Sequence, residues 1–421
     1  MKPFGPKMPV FAVTAVAIVI CLAATTDGQG QTSPTQRPSP ARSAEAAVDQ
    51  LFAQWNNSTS PGCSLGITRN GALVYERGHG MANLDLGAAL TPASVFNVAS
   101  VSKQFTAMAV LLLAKGGHLS LDDEVRKYIP ELPDYGTRLT IRHLLTHTSG
   151  LRNAFGLRGL AAPRDDGTDE NDEIVMMLAR QRALDFTPGT RYTYNNGAYI
   201  MLGVLVKRVS GQSLRAFAEA NIFKPLGMAH THFHDDVGEI VPNRASGYTR
   251  GPGGLRVTNP ADEGGFVGNA GLFTTVRDLL IWEQNFSVVR VGDPALVAAM
   301  QAPTTLTGGG ISSYGFGLEL GEYRGLRTVG HTGDEPGWVA HVVRFPSQEF
   351  TVALLCNFDA PAVTTLTRRI ADIHLGDALT DLVTSPSEVA TLTGPPVALA
   401  ADDLAADVGF YRDASTEGLL R

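Results

Sequence analysis

Ser100 and Lys103 stand three residues apart at the head of an apolar run that reaches Lys115 and stops at Gly116-Gly117. That run predicts a buried helix with a glycine stop. Residues three apart share a helix face, so the Lys103 amine lies beside the Ser100 hydroxyl. A serine hydroxyl is a weak nucleophile until a base takes its proton. A lysine held neutral by burial can serve as that base. Ser100 also falls at the helix start, where free N–H groups and the helix dipole favour negative charge. The chemistry implied is acyl transfer through a serine ester.

Two further groups follow in order. Tyr194-Asn195-Asn196 comes after Pro188-Gly189 and before the helical run "GAYIMLGVLVKRV". His331-Thr332-Gly333 precedes the apolar stretch "GWVAHVVRFP". With these in place, the chain resembles the serine β-lactamase and penicillin-binding protein superfamily. The branch it resembles holds class C β-lactamases, D-alanyl-D-alanine carboxypeptidases and family VIII esterases. The resemblance runs from about Cys63 to Leu375 and rests on "VFNVASVSKQFTA", "LTIRHLLTHTSGL", "FTPGTRYTYNNGAYIMLG", "KPLGM" and "GHTGDEPGW". It implies that Ser100 forms the acyl-enzyme and that Lys103 and Tyr194 exchange protons with Ser100 and the leaving group. It implies that Asn196 hydrogen-bonds substrate or Lys103. His331, which stands where many relatives carry lysine, would line the substrate strand with Thr332 and Gly333. The backbone N–H groups of Ser100 and Asp334 would form the oxyanion hole, worth several kcal/mol in the barrier.

The reaction expected is hydrolysis of an ester or amide: an esterase, a D-amino-acid peptidase or a β-lactam hydrolase. The class A deacylating glutamate motif is not visible. Asp334 and Glu335 follow His-Thr-Gly where many relatives have small neutral residues. An Asp334 side chain facing the cleft would repel a substrate carboxylate and favour esters or uncharged amides. The alternative is a penicillin-binding sensor or scaffold, acylated at Ser100 without efficient turnover. The partner expected is a small-molecule or peptide substrate, and no cofactor is called for.

Other patterns read as structure. Gly62-Cys63-Ser64-Leu65-Gly66 matches a nucleophile elbow, but a helix precedes it and a hairpin follows, so Ser64 is an ordinary strand residue. His143 and His147, four apart on an expected helix, lack the glutamate of a zinc motif. His230, His232 and His234 alternate before Asp235-Asp236, a pattern of a metal site or a sheet-edge strand; they follow "KPLGM", a connecting segment in the family this chain resembles, and we read them as structural, with no metal assigned. The glycines of "GGFVGNAG" lack a following P-loop lysine, which argues against a nucleotide. Thr275 and Asp278 read as a helix start with a reciprocal cap.

The elements that must position the serine are legible along the chain. Val48, Leu51, Phe52 and Trp55 have helical spacing, and Asn70-Gly71 between apolar runs signals a hairpin. "GWVAHVVRFP" and "FTVALLCNF" read as an antiparallel pair, and "TTLTRRIADIHLG" as an amphipathic helix. Strands at both ends with helices between predict an α/β (α+β) fold: an antiparallel sheet built from both halves, flanked by helices, with a mainly helical subdomain. In the 421 residues, Lys2 and Lys7 precede an uncharged apolar run to Ala24. We read residues 1–26 as a signal peptide, 27–43 as a flexible linker, 44–384 as the hydrolase domain, and 385–421 as a linker and partial C-terminal element. A secreted or periplasmic location follows, with membrane attachment only if the first segment is uncleaved. Cys63 and Cys356 either pair or remain buried thiols; sequence leaves both open. A formal charge of -7 gives no reason to expect nucleic acid.

Overall fold

The computed structural model describes residues 40–160, 170–258, 266–359 and 363–380, together with 411–412 and 419–420. Its centre is a six-stranded antiparallel sheet. The strands are β1 (Cys63–Arg69), β2 (Ala72–His79), β3 (Glu319–Tyr323), β4 (Leu326–Glu335), β5 (Trp338–Phe345) and β6 (Phe350–Cys356). Their spatial order is β3-β4-β5-β6-β1-β2, so the first hairpin docks beside the last strand. The β1–β2 turn has Asn70 and Gly71 at φ 51° and 73°, as a two-residue primed turn requires.

The sheet separates two cores. Val339, Val343, Val352 and Leu354 face a core that includes helices α1 (Pro40–Phe52) and α5 (Val363–Leu375). Ala340, Val342, Ala353 and Leu355 face the opposite core. That second core contains α2 (Lys103–Lys115), α3 (Asn196–Ser210) and α4 (Val276–Gln284). Burial on both faces is why β5 and β6 read as continuous apolar runs rather than alternating ones.

Helix α1 starts at Pro40, inside the stretch read from sequence as linker; the signal-peptide reading falls outside the described residues. Cys63 and Cys356 sit opposite each other on β1 and β6 and are joined by a disulfide, Cα–Cα 4.0 Å. The Thr275 side chain caps α4 by accepting the Asp278 N–H. The reciprocal half is not formed: the Asp278 carboxylate instead accepts the His230 N–H and the Thr231 hydroxyl. Ser64 lies in β1 and donates to the Thr91 carbonyl, as a strand residue. Of the C-terminal element, Tyr411–Arg412 and Leu419–Leu420 pair antiparallel, and the rest lies outside the described residues. Among the described residues no helix is long and apolar enough to cross a membrane.

Candidate active site

The nucleophile candidate sits in a short 3-10 turn, Ala99–Ser102, that leads straight into α2. Ala99 has φ 46°, a left-handed conformation that costs a residue with a Cβ about 1–2 kcal/mol. Three contacts hold it there. The Asn97 side chain accepts the Ala99 N–H at 2.9 Å. The Ser102 hydroxyl donates to the Ala99 carbonyl at 2.6 Å and accepts the Leu272 N–H at 3.0 Å. Such over-determined strain pushes the Ser100 side chain out of the core while its neighbours stay buried.

Lys103 is fully buried. Its Nζ donates to Ser100 Oγ at 3.0 Å, Asn196 Oδ1 at 2.8 Å and the Asn269 carbonyl at 2.7 Å. Burial lowers its pKa to about 7, against the opposing charges of Glu335 and Glu319. The acceptor set matters. A neutral amine keeps two protons and one lone pair. The amide and carbonyl oxygens can only accept, so they take the two protons, and the lone pair turns to the Ser100 hydroxyl. Asn195 does different work: it caps α3, accepting the Ala198 N–H and donating to the Leu151 carbonyl.

The Tyr194 phenol interacts with the Ser100 hydroxyl, which opposes the rise that burial imposes on its pKa, and its ring lies 4.8 Å from Lys103 Nζ. About 37% of the side chain is exposed at the rim. Protein still crowds its phenol closely enough that burial pushes the pKa up, so the group stays protonated at neutral pH. The buried His147 ring stands 4.4 Å from Tyr194. His147 Nδ1 accepts the Asn195 N–H at 3.0 Å, which fixes the ring. Burial holds its pKa well below the usual value, so it stays neutral.

The third motif borders this group on β4. His331 is buried; its Nδ1 donates to the Thr332 carbonyl, so its Nε2 accepts the Tyr314 hydroxyl at 2.9 Å. Burial lowers its pKa as well. A Cβ on Gly333 would stand 2.3 Å from the Val98 carbonyl oxygen, so only glycine lets β4 lie against the nucleophile turn. Strand β3 pairs with β4 only as far as Gly330, leaving 331–335 unpaired on that side. The β4–β5 hairpin closes on Glu335 and Trp338. The alternation of an antiparallel ladder then aims the backbone groups of Thr332 and Asp334 at the open edge. An acyl oxygen there would meet the Asp334 N–H from the strand and the Ser100 N–H from the turn.

The side chains of the motif do not all face the serine. Asp334 lies opposite Val339, on the α1–α5 side of the sheet, and is exposed. Partial burial and the nearby Asp359 raise its pKa. The condition under which it would repel a substrate carboxylate, an Asp334 side chain facing the cleft, is therefore not met, because strand alternation turns it away. The Thr332 hydroxyl likewise points to the edge, donating to Glu319 Oε1 at 2.9 Å. The acidic charges felt by Lys103 and Tyr194 are Glu335 and Glu319. Glu335 accepts from the Asn97 amide at 2.9 Å.

Sequence reasoning thus brought Ser100, Lys103, Tyr194, Asn196, His331 and Gly333 to one place. It gave no site role to Asn97, Asn269, Tyr314 and Glu319, nor to His147 and Glu335, which it named for other reasons. Asn269 lies in the "GNAG" stretch, whose available signal was glycine density: Gly268 has φ 116° and a Cβ there would meet the Tyr199 carbonyl at 2.6 Å. His143 and His147 do not share a helix face, since that helix ends at Leu145 and His147 has φ 55°. His143 Nδ1 accepts the Thr140 N–H instead.

The Beta-lactamase family model matches residues 46–375. The chain belongs to the beta-lactamase family. Within that family it is 30% identical over 308 residues to a D-aminopeptidase of Brucella canis, covering 73% of this chain and 58% of the relative. A D-aminopeptidase of Brucella anthropi is 29% identical, with 76% and 60% covered. The chain thus spans about three-fifths of the length of these relatives. Among solved structures, an octameric penicillin-binding protein homologue from Pyrococcus abyssi superposes with TM-score 0.69 and 26% identity, over 80% of this chain and 77% of that one. A D-amino acid amidase from Ochrobactrum anthropi SV3 gives TM-score 0.67 at 23% identity, over 81% and 100%. The fold is the β-lactamase/transpeptidase type.

Proposed function

We propose that this chain is a serine hydrolase that cleaves amides of small amino acids or short peptides bearing a free, cationic amine, through an acyl-enzyme on Ser100. The observation that carries the mechanism is the Lys103 amine, fully buried, titrating near neutrality and aimed at Ser100 by two fixed acceptors. Ser100 Oγ attacks the carbonyl and gives its proton to Lys103. The oxyanion accepts from the Ser100 and Asp334 N–H groups. As the carbon–nitrogen bond breaks, Tyr194 protonates the departing amine and Lys103 returns a proton to Tyr194. Water then cleaves the ester by the reverse proton route. The charges of Glu319 and Glu335 favour an ammonium group near the reacting centre and disfavour a carboxylate. The D-aminopeptidase relatives support the same class of substrate.

The test is a panel of D-alanine p-nitroanilide, its N-acetyl derivative and benzylpenicillin, followed by mass spectrometry over time. The free-amine substrate should turn over fastest, with a transient acyl adduct that disappears in Ser100→Ala. A persistent adduct without product would identify an acylated sensor instead. Equal rates with the N-acetyl derivative would remove the case for a cationic substrate. We also propose export, supported by the basic-then-apolar start of the chain and by a disulfide, which persists in oxidising compartments. Fractionation of the expressed chain should find the protein outside the cytoplasm, with its first residue near position 27; a cytoplasmic full-length chain would overturn this.

A further inference from the structure

A second cluster of chemistry-bearing side chains lies away from the serine. His232 and His234 are separated by one residue around a short strand, His232–Phe233, so their side chains fall on the same face. The chain then turns at Asp236–Glu239, where the Glu239 N–H reaches the Asp236 carbonyl and Gly238 donates to the Asp236 side chain. This turn returns Glu239 to the two imidazoles. His232 Nε2 lies 3.3 Å from His234 Nδ1. Glu239 Oε2 lies 3.8 Å from the first nitrogen and 3.7 Å from the second.

Those three separations define a nearly equilateral triangle. Its centre is about 2.1 Å from every corner, the length of a zinc–imidazole or zinc–carboxylate bond. Two imidazole nitrogens and one carboxylate oxygen suit zinc better than calcium or magnesium, which take oxygen ligands. Three protein ligands leave a fourth position for water. A cavity of about 580 Å3 lined by His232, Glu239, Arg215 and His230 borders the cluster and gives an ion a way in.

The surroundings also hold the carboxylate still. Arg215 engages both Glu239 oxygens, Nη1 to Oε2 at 2.6 Å and Nη2 to Oε1 at 2.7 Å, and its Nη1 also reaches Asp235 at 3.2 Å. A carboxylate oxygen has a second lone pair, so this bond leaves one for a metal. Partners of this kind orient ligating carboxylates in metal sites. The position is informative too. His232 pairs with Phe273, and Phe273 pairs with Asn97, the residue that holds the Ala99 turn.

We propose that His232 Nε2, His234 Nδ1 and Glu239 Oε2 bind one zinc ion with an open water position, tying the 235–239 turn to the small sheet that carries Asn97. This inference is independent of the substrate assignment above. The experiment uses the full chain stripped with a chelator. Zinc is titrated by calorimetry, and cobalt(II) is added as a spectroscopic probe. One zinc per chain is expected, with visible cobalt absorption of tetrahedral intensity that zinc bleaches, and a zinc-dependent rise in Tm. Glu239→Gln should weaken zinc by about tenfold or more, and His232→Asn should abolish the cobalt bands. Glu239 is partly exposed, so its variant keeps the test available if the histidine variant misfolds. The proposal is overturned by the absence of saturable one-to-one binding, or by binding of equal strength in wild type and Glu239→Gln.

Discussion

At the scale of single residues, the site depends on one amine being neutral. Lys103 works as a base only after losing its proton, so kcat/KM should rise with pH through about 7 and then level. Lys103→Arg keeps the charge but cannot deprotonate at working pH, and activity should fall by a factor of about 10^3 or more. Recovery of near-wild-type activity in that variant would remove Lys103 from the base role. The same shift has a stability consequence. Lys103 has a folded pKa below its unfolded one, so between about pH 7 and 10 the unfolded chain holds the proton and the folded chain does not. Stability relative to Lys103→Met should therefore move in favour of wild type as pH rises across that window, read from denaturant midpoints; a flat difference would contradict it. Tyr194→Phe should lower kcat by about 10^2–10^4, as loss of a proton donor does, while leaving Lys103 in place.

At the scale of elements, catalytic geometry depends on how closely β4 approaches the Ala99–Ser102 turn. Gly333→Ala would force the strand back from the Val98 carbonyl. Overpacking of this kind costs about 1–3 kcal/mol, and the displaced Asp334 N–H should reduce kcat by at least about tenfold. Steady-state kinetics with a Tm measurement separate the two effects; unchanged kcat would show that the Asp334 edge does not stabilise the oxyanion. This scale also shows what was legible in advance. The β1–β2 hairpin, α2, α3, the β5–β6 pair and α5 were all written in periodicity and turn chemistry. So were Ser100 and Lys103, because one helical turn separates them. Glu319 and Glu335 escaped because their influence on Lys103 depends on sheet pairing, which no local pattern encodes. The side taken by Asp334 was left open for the same reason. Its face is set by the register of β4 against β5, and a one-residue difference reverses it. The Asn269 carbonyl was invisible for another reason, since a backbone acceptor carries no side-chain signature.

At the scale of the whole molecule, the two halves of the chain meet along β1 and β6, where Cys63 and Cys356 are linked across 293 positions. Cys63→Ala with Cys356→Ala removes a constraint of the kind typically worth about 2–4 kcal/mol. The double variant should melt several degrees lower while retaining kcat, since the bond lies on the α1–α5 side of the sheet. Loss of kcat with an unchanged Tm would mean that the link serves the site rather than the fold. At the other end, Arg324 and Thr380 exchange hydrogen bonds, fastening the chain after α5 to the β3–β4 turn. Removing Thr391 to Arg421 should leave activity largely intact, and complete loss would show that the segment belongs to the working site.

The order of the strands carries one more consequence. β1 and β2 are synthesised first, yet the neighbour that completes β1 is β6, and the edge that would receive substrate belongs to β4. A growing polypeptide that has already exposed Ser100 and Lys103 still lacks the 331–335 segment. It can neither seat a ligand nor shelter an anion until more than two hundred further residues have emerged. Chemical competence thus waits on the synthesis of the later strands, by connectivity alone.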